Sequence, residues 1–323
     1  MLSAHTDRPV AAAAPPRRRP GLPGYAELHC RSNFSFLSGA SHPGELVQRA
    51  WQLGYAALAL TDECSLAGVV RAHLEIEGDR ARLRSGGEAA ASPHPLPRLI
   101  VGAQMRLSSG ARLVVLAQSR RGYGNLSHWI TVARRRAPKG QYLAHAGDVE
   151  GHVPNAPFLA GLPGCFALLL PDASQGFEAL LDQAMWLKTW FDDGARAAIA
   201  LELLLRPGDD ALRAMVKRVA QLSGLRIVAA GDVLMHLRSR KALQDTLTAT
   251  RLKRPVSECG AALAPNAEQH LRSRARLARL YEPEWLEHTL VVAGSCRFSL
   301  AELKYEYPQE LVPTGQTPAG HLC

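Results

Sequence analysis

The chain has 323 residues, of which 47% are hydrophobic and 21% are charged, so it can bury a substantial core and has the balance of a globular protein. No apolar run approaches the roughly 18 residues of a membrane-spanning helix, and the amino terminus lacks the apolar centre of a signal peptide. We therefore expect a cytoplasmic protein with no membrane partner.

The formal net charge of +9 suits a polyanionic partner such as nucleic acid, although solvated basic surfaces are also common. Residues 231–280 contain ten Lys and Arg but four Asp and Glu, so much of the excess charge lies there. The arginines that we single out as candidates for contact with nucleic acid are Arg272, Arg274 and Arg276. The six cysteines show neither a CxxC pair nor zinc-finger spacing, which predicts reduced thiols.

The first third of the chain alternates between buried strands and helices. Residues 1–24 are rich in Ala, Pro and Arg and predict a disordered tail. After the first strand, Ser41 can cap a helix that has Pro43 in its first turn and ends at Gly54. In chain order we then expect a strand at 56–60, a helix at 67–77, a surface insertion at 78–97 and a hairpin of strands 98–107 and 111–117.

Beyond the hairpin, the pattern predicts helices at 122–135, 177–190 and 209–222 and strands at 164–170, 197–205 and 225–230. Strands that alternate with helices indicate an α/β fold with a mainly parallel sheet, buried on both faces. The pattern alone leaves an open sheet and a closed barrel as alternatives. After Asp245 the composition changes to basic helices, expected at 243–252, 267–281 and 284–288, and then to an extended, proline-punctuated segment at 298–322.

Polar clusters follow two of the predicted strands. The first strand leads into Glu27, His29, Arg31 and Ser32, and the second leads into Thr61, Asp62 and Glu63. Either cluster alone could be an ordinary exit from a strand into solvent. Because open sheets and barrels carry their chemistry at the ends of strands, the two together favour a site.

These clusters carry a resemblance to a known family. ELHCRS resembles the Asp/His-Leu-His-x-His-Ser motif of the PHP (polymerase and histidinol phosphatase) domain, and ALTDE resembles its Ala-Leu-Thr-Asp-His motif. The longer segments ELHCRSNFSFLSGASHPGELV, GYGNLS, GDVLMHLRSRKALQDTLTATR and AELKYEYPQELVP are similar to the amino-terminal part of bacterial error-prone DNA polymerases of the C family.

The resemblance implies a distorted seven-stranded β/α barrel of the PHP type at 25–245. A basic helical linker and the truncated start of a polymerase palm would follow at 246–323, with the catalytic carboxylates of the palm beyond Cys323. It also implies template-directed DNA synthesis during damage-induced repair. The expected partners of the longer enzyme are DNA, deoxynucleoside triphosphates, Mg²⁺, a sliding clamp and mutagenesis accessory proteins.

A PHP site uses His, Asp and Glu to hold metal ions that activate water against a phosphate ester. Three residues of the pattern are retained, namely His29, Asp62 and Asp232. Five positions are altered, and they are occupied by Arg31, Glu63, Gln104, Arg112 and Leu234. His236 could compensate for Leu234, and Cys165 could occupy a further ligand position, although a buried structural thiol is the simpler interpretation.

Arginine stays protonated and cannot coordinate a cation. We therefore expect no metal in the barrel, and we expect Arg31 and Arg112 to pair with Asp62, Glu63 and Asp232. The preferred interpretation is a structural barrel in an error-prone DNA polymerase segment that is inactive by itself. One alternative is a phosphoesterase or 3′–5′ exonuclease that holds Zn²⁺ or Mn²⁺ through His29, Asp62 and Asp232. The other is a stand-alone basic binding module.

Overall fold

The computed structural model describes residues 21–85, 92–172 and 174–303, and in these residues seven strands form one sheet in the order of the sequence. The strands are β1 (Ala26–Cys30), β2 (Ala57–Leu60), β3 (Arg98–Arg106), β4 (Arg112–Ala117), β5 (Cys165–Leu170), β6 (Ala197–Glu202) and β7 (Arg226–Ala230). Neighbouring strands are parallel, except that β4 is antiparallel to β3 and β5. A tight turn with Gly110 at a φ of 91° reverses the chain before β4. The predicted α/β fold and hairpin are confirmed.

The helices are α1 (Pro43–Gln52), α2 (Ala67–Arg84), α3 (Arg120–Arg135), α4 (Ala146–Val149), α5 (Phe177–Trp190), α6 (Asp209–Ser223), α7 (Lys241–Leu252), α8 (Arg274–Leu280) and α9 (Pro283–Ser295). Helix α2 continues past the predicted break at Gly78, because Gln48 of α1 donates hydrogen bonds to Glu75 and Asp79 and so holds the helix on both sides of that glycine. His42, and not Ser41, is the N-cap residue of α1. Within the described ranges, no helix combines the length and apolar character needed to cross a membrane.

The predicted helix at 267–281 is wrong in its first half. Only Arg274–Leu280 is helical, since the preceding residues run along the end of the barrel, where His270 bridges to Met235 and Gln269 accepts the backbone N–H of Leu234. The helix expected at 284–288 is longer, extending over Pro283–Ser295. Residues 1–20 of the expected tail, 86–91 of the insertion and 304–323 of the expected palm entry lie outside the described residues.

The barrel closes between β1 and β7 in two different ways. At the carboxyl ends of the strands, Arg31 donates its backbone N–H to Val233, and Val233 donates to His29, at 2.9 and 3.0 Å. At the opposite end, α9 fills the gap: Thr289 Oγ1 accepts the backbone N–H of Ala26 at 3.1 Å. The helix therefore supplies hydrogen bonds that a strand edge would otherwise leave unsatisfied.

Two apolar layers lie on the two faces of the sheet. The inner layer consists of small and medium residues such as Ala59, Val114 and Ala200, together with Val292 and Ala293 of α9. The outer layer joins the alternate residues of the strands to the surrounding helices. Because the strands are buried on both faces, most of their sequences are continuous apolar runs; β1 is an exception, with Glu27 and His29 between apolar residues.

Residues after the domain boundary that we expected at Asp245 pack on the barrel, and the boundary itself falls inside α7. Arg272 is 2% exposed and donates to the carbonyl oxygen of Leu203 at 2.7 Å. The hydroxyl of Tyr281 donates to the carbonyl oxygen of Ala230 at 2.8 Å and accepts the backbone N–H of Leu203 at 3.0 Å. The segment that contains α8 and α9 is thereby anchored to the carboxyl ends of β6 and β7.

Replacing Tyr281 with Phe should lower the free energy of unfolding by roughly 2–3 kcal/mol, because buried backbone groups of Leu203 and Ala230 would lose their partner. Chemical denaturation of the two proteins measures this difference. Tyr123→Phe is the matched control: the Tyr123 ring stacks on Phe298, and its hydroxyl has no hydrogen bond within the described residues. An equal, small effect of both substitutions would contradict the anchoring role of Tyr281.

Candidate functional site

The polar rim of the barrel follows from the alternation of side chains along each strand. Ala200 of β6 and Ala230 of β7 face the interior, so the residues two positions later, Glu202 and Asp232, point to the same side at the carboxyl end. The same alternation applies to β3 and β4. The interior-facing polar residues of this rim are Gln104, Arg112, Glu202 and Asp232.

His29 is the centre of the rim and is completely buried. Its Nδ1 lies 2.5 Å from Oε1 of Glu202 and 3.7 Å from Oδ1 of Asp232. Its Nε2 lies 2.8 Å from Oε1 of Gln104. Both ring nitrogens of His29 are therefore hydrogen-bonded to protein atoms.

The surrounding carboxylates favour a charged imidazole. Burial by itself lowers the pKa of His29, but the charge and hydrogen bond of Glu202 outweigh burial, so the pKa of His29 lies above its ordinary value. Burial raises the pKa of Asp232, but the positive charges of Arg31 and His29 outweigh it, and the pKa of Asp232 lies below its ordinary value. The charged forms of His29 and Asp232 therefore stabilise each other as an ion pair.

Arg31 pairs with Asp232, as we predicted. Its guanidinium donates to Oδ1 of Asp232, while the side-chain amide of Gln269 donates to Oδ2 at 2.7 Å. The side chains of Arg31 and Asp232 are 11% and 8% exposed. Both oxygens of Asp232 thus have donors from this chain. The pair forms because β1 and β7 meet at this end of the barrel.

Asp62 and Glu63 are not paired with arginine side chains, and this part of the prediction is wrong. Asp62 accepts hydrogen bonds from the backbone and hydroxyl of Ser32 and from the hydroxyl of Ser35, at 2.7 to 2.8 Å. Burial raises its pKa. Glu63 accepts a hydrogen bond from the hydroxyl of Tyr142 at 2.9 Å. The hydrogen-bond donors to these two carboxylates are thus serines and a tyrosine, and not guanidinium groups.

Arg112 also differs from our prediction, since it makes no ion pair at hydrogen-bonding distance in the described part of the chain. Its Nη2 donates to the carbonyl oxygen of Pro171 at 3.3 Å, and its Nε is buried without a partner there. The side chain of Leu234 is buried, and its backbone N–H donates to the carbonyl oxygen of Gln269.

The two residues considered as substitute ligands lie away from His29. His236 bonds to the hydroxyl of Ser41 at 2.8 Å, outside the interior of the barrel. Cys165 begins β5 and pairs with Ala117 at the opposite end of the sheet, where its thiol donates to the carbonyl oxygen of Gly122. Neither replaces a missing histidine.

Sequence reasoning missed Glu202, which is the closest partner of His29. It lay inside a run that we predicted as a strand over 197–205, so the carboxylate looked like an interruption of an apolar element. The signal that could have identified it is its parity, because it follows Ala198 and Ala200 on the inner face. Gln269 was also missed, since it lay in a segment predicted to be helical.

The side chains of this rim do not fit a PHP-type metal centre. His29, Glu202 and Asp232 offer atoms within 4.8 Å of one another, which is compact enough for one ion. However, both ring nitrogens of His29 are hydrogen-bonded within the chain, Asp232 accepts hydrogen bonds from Arg31 and Gln269, and Asp62 accepts hydrogen bonds from two serines. A metal would have to displace these protein donors, because ligands must be deprotonated and free to coordinate.

The three arginines nominated for nucleic acid have partners within the chain. Arg272 is buried, so it is not available to a phosphate, and the prediction is wrong for this residue. Arg274 donates to the carbonyl oxygen of Leu53 at 3.1 Å. Arg276 makes a bidentate contact with buried Glu268, at 2.9 and 3.1 Å. The exposed cations of residues 231–280 are elsewhere, at Arg238, Arg251, Lys253, Arg254 and Arg279.

The amino-acid sequence is strongly similar to the sequences of error-prone DNA polymerases. The chain is 53% identical over 306 residues to an error-prone DNA polymerase from Bordetella parapertussis, a match that covers 93% of this chain and 27% of that protein. It is 51% identical over 301 residues to an error-prone DNA polymerase from Dechloromonas aromatica, with the same coverage. The chain thus spans about a quarter of the length of these relatives.

Among solved structures, similarity is found to an amidohydrolase from Chromobacterium violaceum, with a TM-score of 0.42, 15% identity and coverage of 65% of this chain and 88% of that one. A lesion-specific endonuclease from Pyrococcus furiosus matches with a TM-score of 0.40, 10% identity and coverage of 65% and 48%. A family model described as the PHP domain matches residues 27–195, slightly more than half of the chain. This stretch includes the first five strands of the barrel, together with His29, Gln104 and Arg112, and the chain belongs to the PHP domain family.

Proposed function

We propose that this chain is the PHP-containing, amino-terminal portion of an error-prone DNA polymerase that acts in damage-induced translesion synthesis and repair. The observation that carries the proposal is the identity of 53% over 93% of the chain with relatives of that name. The longer protein would use DNA, deoxynucleoside triphosphates and Mg²⁺ in the cytoplasm. A sliding clamp and mutagenesis accessory proteins are the further partners that we propose for it.

Within that protein, we propose that the barrel is a structural and interaction module without metal chemistry. The support is the set of contacts around His29, Asp232 and Asp62, in which protein donors occupy the positions that ions would need. Removing either partner of a buried ion pair leaves an uncompensated charge, so each partner contributes to the stability of the fold.

A second candidate function is metal-dependent hydrolysis of a phosphate ester or of a 3′-terminal nucleotide. It is favoured by one observation, the proximity of His29, Glu202 and Asp232. For this function Arg31 would have to leave Asp232, and His29 would have to lose a proton to serve as a ligand. The proposals differ in what a divalent cation should do to the protein.

The polymerase proposal is tested by reading the gene beyond codon 323 and purifying the whole encoded protein. We expect an open reading frame that continues, and Mg²⁺-dependent extension of a primed template by the whole protein, including across a damaged base. The 323-residue chain alone should incorporate no nucleotide. A whole protein without extension activity, or extension by the 323-residue chain, would contradict the proposal.

Removing Arg31 tests the internal ion pair. Arg31→Ala should lower the free energy of unfolding by roughly 3–5 kcal/mol, because Asp232 would remain buried without its guanidinium partner. Denaturation in the presence of a chelator measures the loss. Arg120→Ala is the control, since this arginine is exposed at the other end of the barrel. Zn²⁺ or Mn²⁺ should not raise the melting temperature of the unmodified protein, and stabilisation by stoichiometric metal would favour the second candidate function.

The ion pair also predicts how stability depends on pH. A raised pKa means that the contribution of His29 is complete below the unfolded value of about 6.5 and is lost as the pH rises through the folded value. The lowered pKa of Asp232 means that its contribution is lost as the pH falls below about 3.9. The destabilisation caused by His29→Gln should therefore be larger at about pH 6 than at about pH 9.

His236→Gln is the control for this measurement. Burial lowers the pKa of His236, so protonation of this residue disfavours the folded state. The destabilisation caused by His236→Gln should therefore be smaller at about pH 6 than at about pH 9. Equal pH dependence of both variants would show that His29 does not form ion pairs with Glu202 and Asp232.

A further inference from the structure

The loop between β1 and α1 carries the most exposed large apolar side chain of the described residues. Phe36 is 84% exposed, and Phe34, two positions earlier, is 39% exposed. We call residues 32–41 the aromatic loop. A single ring in contact with water is common on protein surfaces, but a contiguous apolar surface usually marks a contact with another molecule or domain.

The apolar surface continues from the aromatic loop onto α2. Phe34 and Leu74 line one groove of about 620 Å³ beside the start of α1. Val70 lies one helical turn before Leu74, and the two side chains are 50% and 57% exposed. We call this surface the apolar patch, and it consists of Phe34, Phe36, Val70 and Leu74. The patch exposes on the order of 400 Å² of apolar surface, which is in the range at which patches on soluble proteins often mark a contact.

The aromatic loop is held in one conformation by the buried carboxylate of Asp62. This carboxylate accepts the backbone N–H and the hydroxyl of Ser32 and the hydroxyl of Ser35, at 2.7 to 2.8 Å. Within the loop, the carbonyl oxygen of Ser35 accepts the backbone N–H groups of Ser38 and Gly39, at 2.9 and 3.1 Å. A loop that is already ordered loses little conformational entropy when its side chains are covered by a partner.

The backbone of the aromatic loop also contains a strained position next to Phe36. Leu37 has a φ of 53°, a left-handed conformation that is unfavourable for a residue with a side chain. Strained conformations of this kind persist where the surrounding contacts fix them, and they occur often at binding sites. Asp62 is therefore a positioning residue for the aromatic loop, and this role requires no metal ion.

The charges beside the apolar patch favour a protein partner over a nucleic acid. Arg71 and Glu75 lie in the groove on either side of Leu74, and their opposite charges give this edge no net charge. A surface that binds nucleic acid needs an excess of positive charge to replace the counterions of the phosphates. The chemistry of the patch therefore fits an apolar protein surface.

We propose that the apolar patch is the docking surface for the part of the polypeptide that follows residue 323 in a longer protein like the relatives. This inference rests on the proposed function, in which the chain is one portion of a polymerase. The chain matches 27% of the length of a relative, so most of such a polypeptide lies outside it. A covalently linked segment meets the patch at a high effective concentration, so a small apolar surface is sufficient to hold it.

The test compares the 323-residue chain with the whole encoded protein. Phe36→Cys places a thiol in the patch, and peptide mass spectrometry measures how fast a maleimide reacts at this position in both proteins. The five described cysteines are buried and compete little for the reagent. We expect the reaction at position 36 to be at least about tenfold slower in the whole protein, because the docked segment must open before the reagent can enter.

Asp210→Cys is the control for the labelling measurement. The side chain of Asp210 is 97% exposed on α6, outside the apolar patch, so this position should react equally fast in both proteins. Equal rates at position 36 in the two proteins would overturn the proposal and leave the patch open to a separate partner.

Phe36→Ser gives an independent test through stability. Because Phe36 is exposed in the 323-residue chain, the substitution should leave the melting temperature of that chain unchanged. It should lower the melting temperature of the whole protein, since a covered ring would lose its apolar contact. Leu222→Ser, at a leucine that is 58% exposed on α6, is the matched control and should change neither value. An unchanged melting temperature of the whole Phe36→Ser protein would contradict docking at the patch.

Asp62→Asn tests the positioning role of this carboxylate. The substitution should speed hydrogen exchange of the backbone N–H groups of residues 32–39, whereas Glu63→Gln should not, because the side chain of Glu63 accepts from Tyr142 and not from the aromatic loop. Unchanged exchange in the Asp62→Asn protein would contradict the role. None of these measurements uses polymerase activity, so an inactive whole protein would contradict the polymerase proposal without deciding whether the patch is covered.

Discussion

Strands β1 and β7 must meet for the barrel to close, yet they share only a short contact at their carboxyl ends, through Arg31 and Val233. The rest of the junction depends on α9, which supplies Thr289 as an acceptor for the backbone of Ala26. Parallel edge strands without such a cover would expose unpaired backbone groups. The segment that contains α8 and α9 therefore completes the barrel. Arg272 and Tyr281, which anchor this segment to the strands, are buried.

The same junction assembles the polar centre. Closing the barrel brings Asp232, which follows β7 at one edge of the sheet, within reach of His29 and Arg31 of β1 and its exit at the other edge. In water these charges would gain little from pairing, but burial excludes the solvent that would screen them. An imidazole between two carboxylates and a guanidinium on one of them balance charge within the chain. This balance supports the proposal that the barrel is a structural module.

Local patterns determined most elements of the barrel, because most strands are continuous apolar runs and Gly, Pro and short polar turns separate them from helices. The retained and altered positions of the PHP motifs, from His29 to Leu234, could also be read in the sequence. The pairing of Arg31 with Asp232 was one of several arginine–carboxylate pairings that these altered positions predicted. These features depend on periodicity and on residue type, which are local properties.

Only the tertiary structure decided which partners the polar residues have. Glu202 is 173 positions from His29, and no periodicity links them before the barrel closes. Ser32 and Ser35 reach Asp62 before either arginine does, a result of turn geometry after β1. Arg272 looked like part of a basic surface, but it is buried because its segment covers the closing strands. Contacts between distant parts of a chain depend on how the whole backbone packs, and residue type alone does not determine that packing.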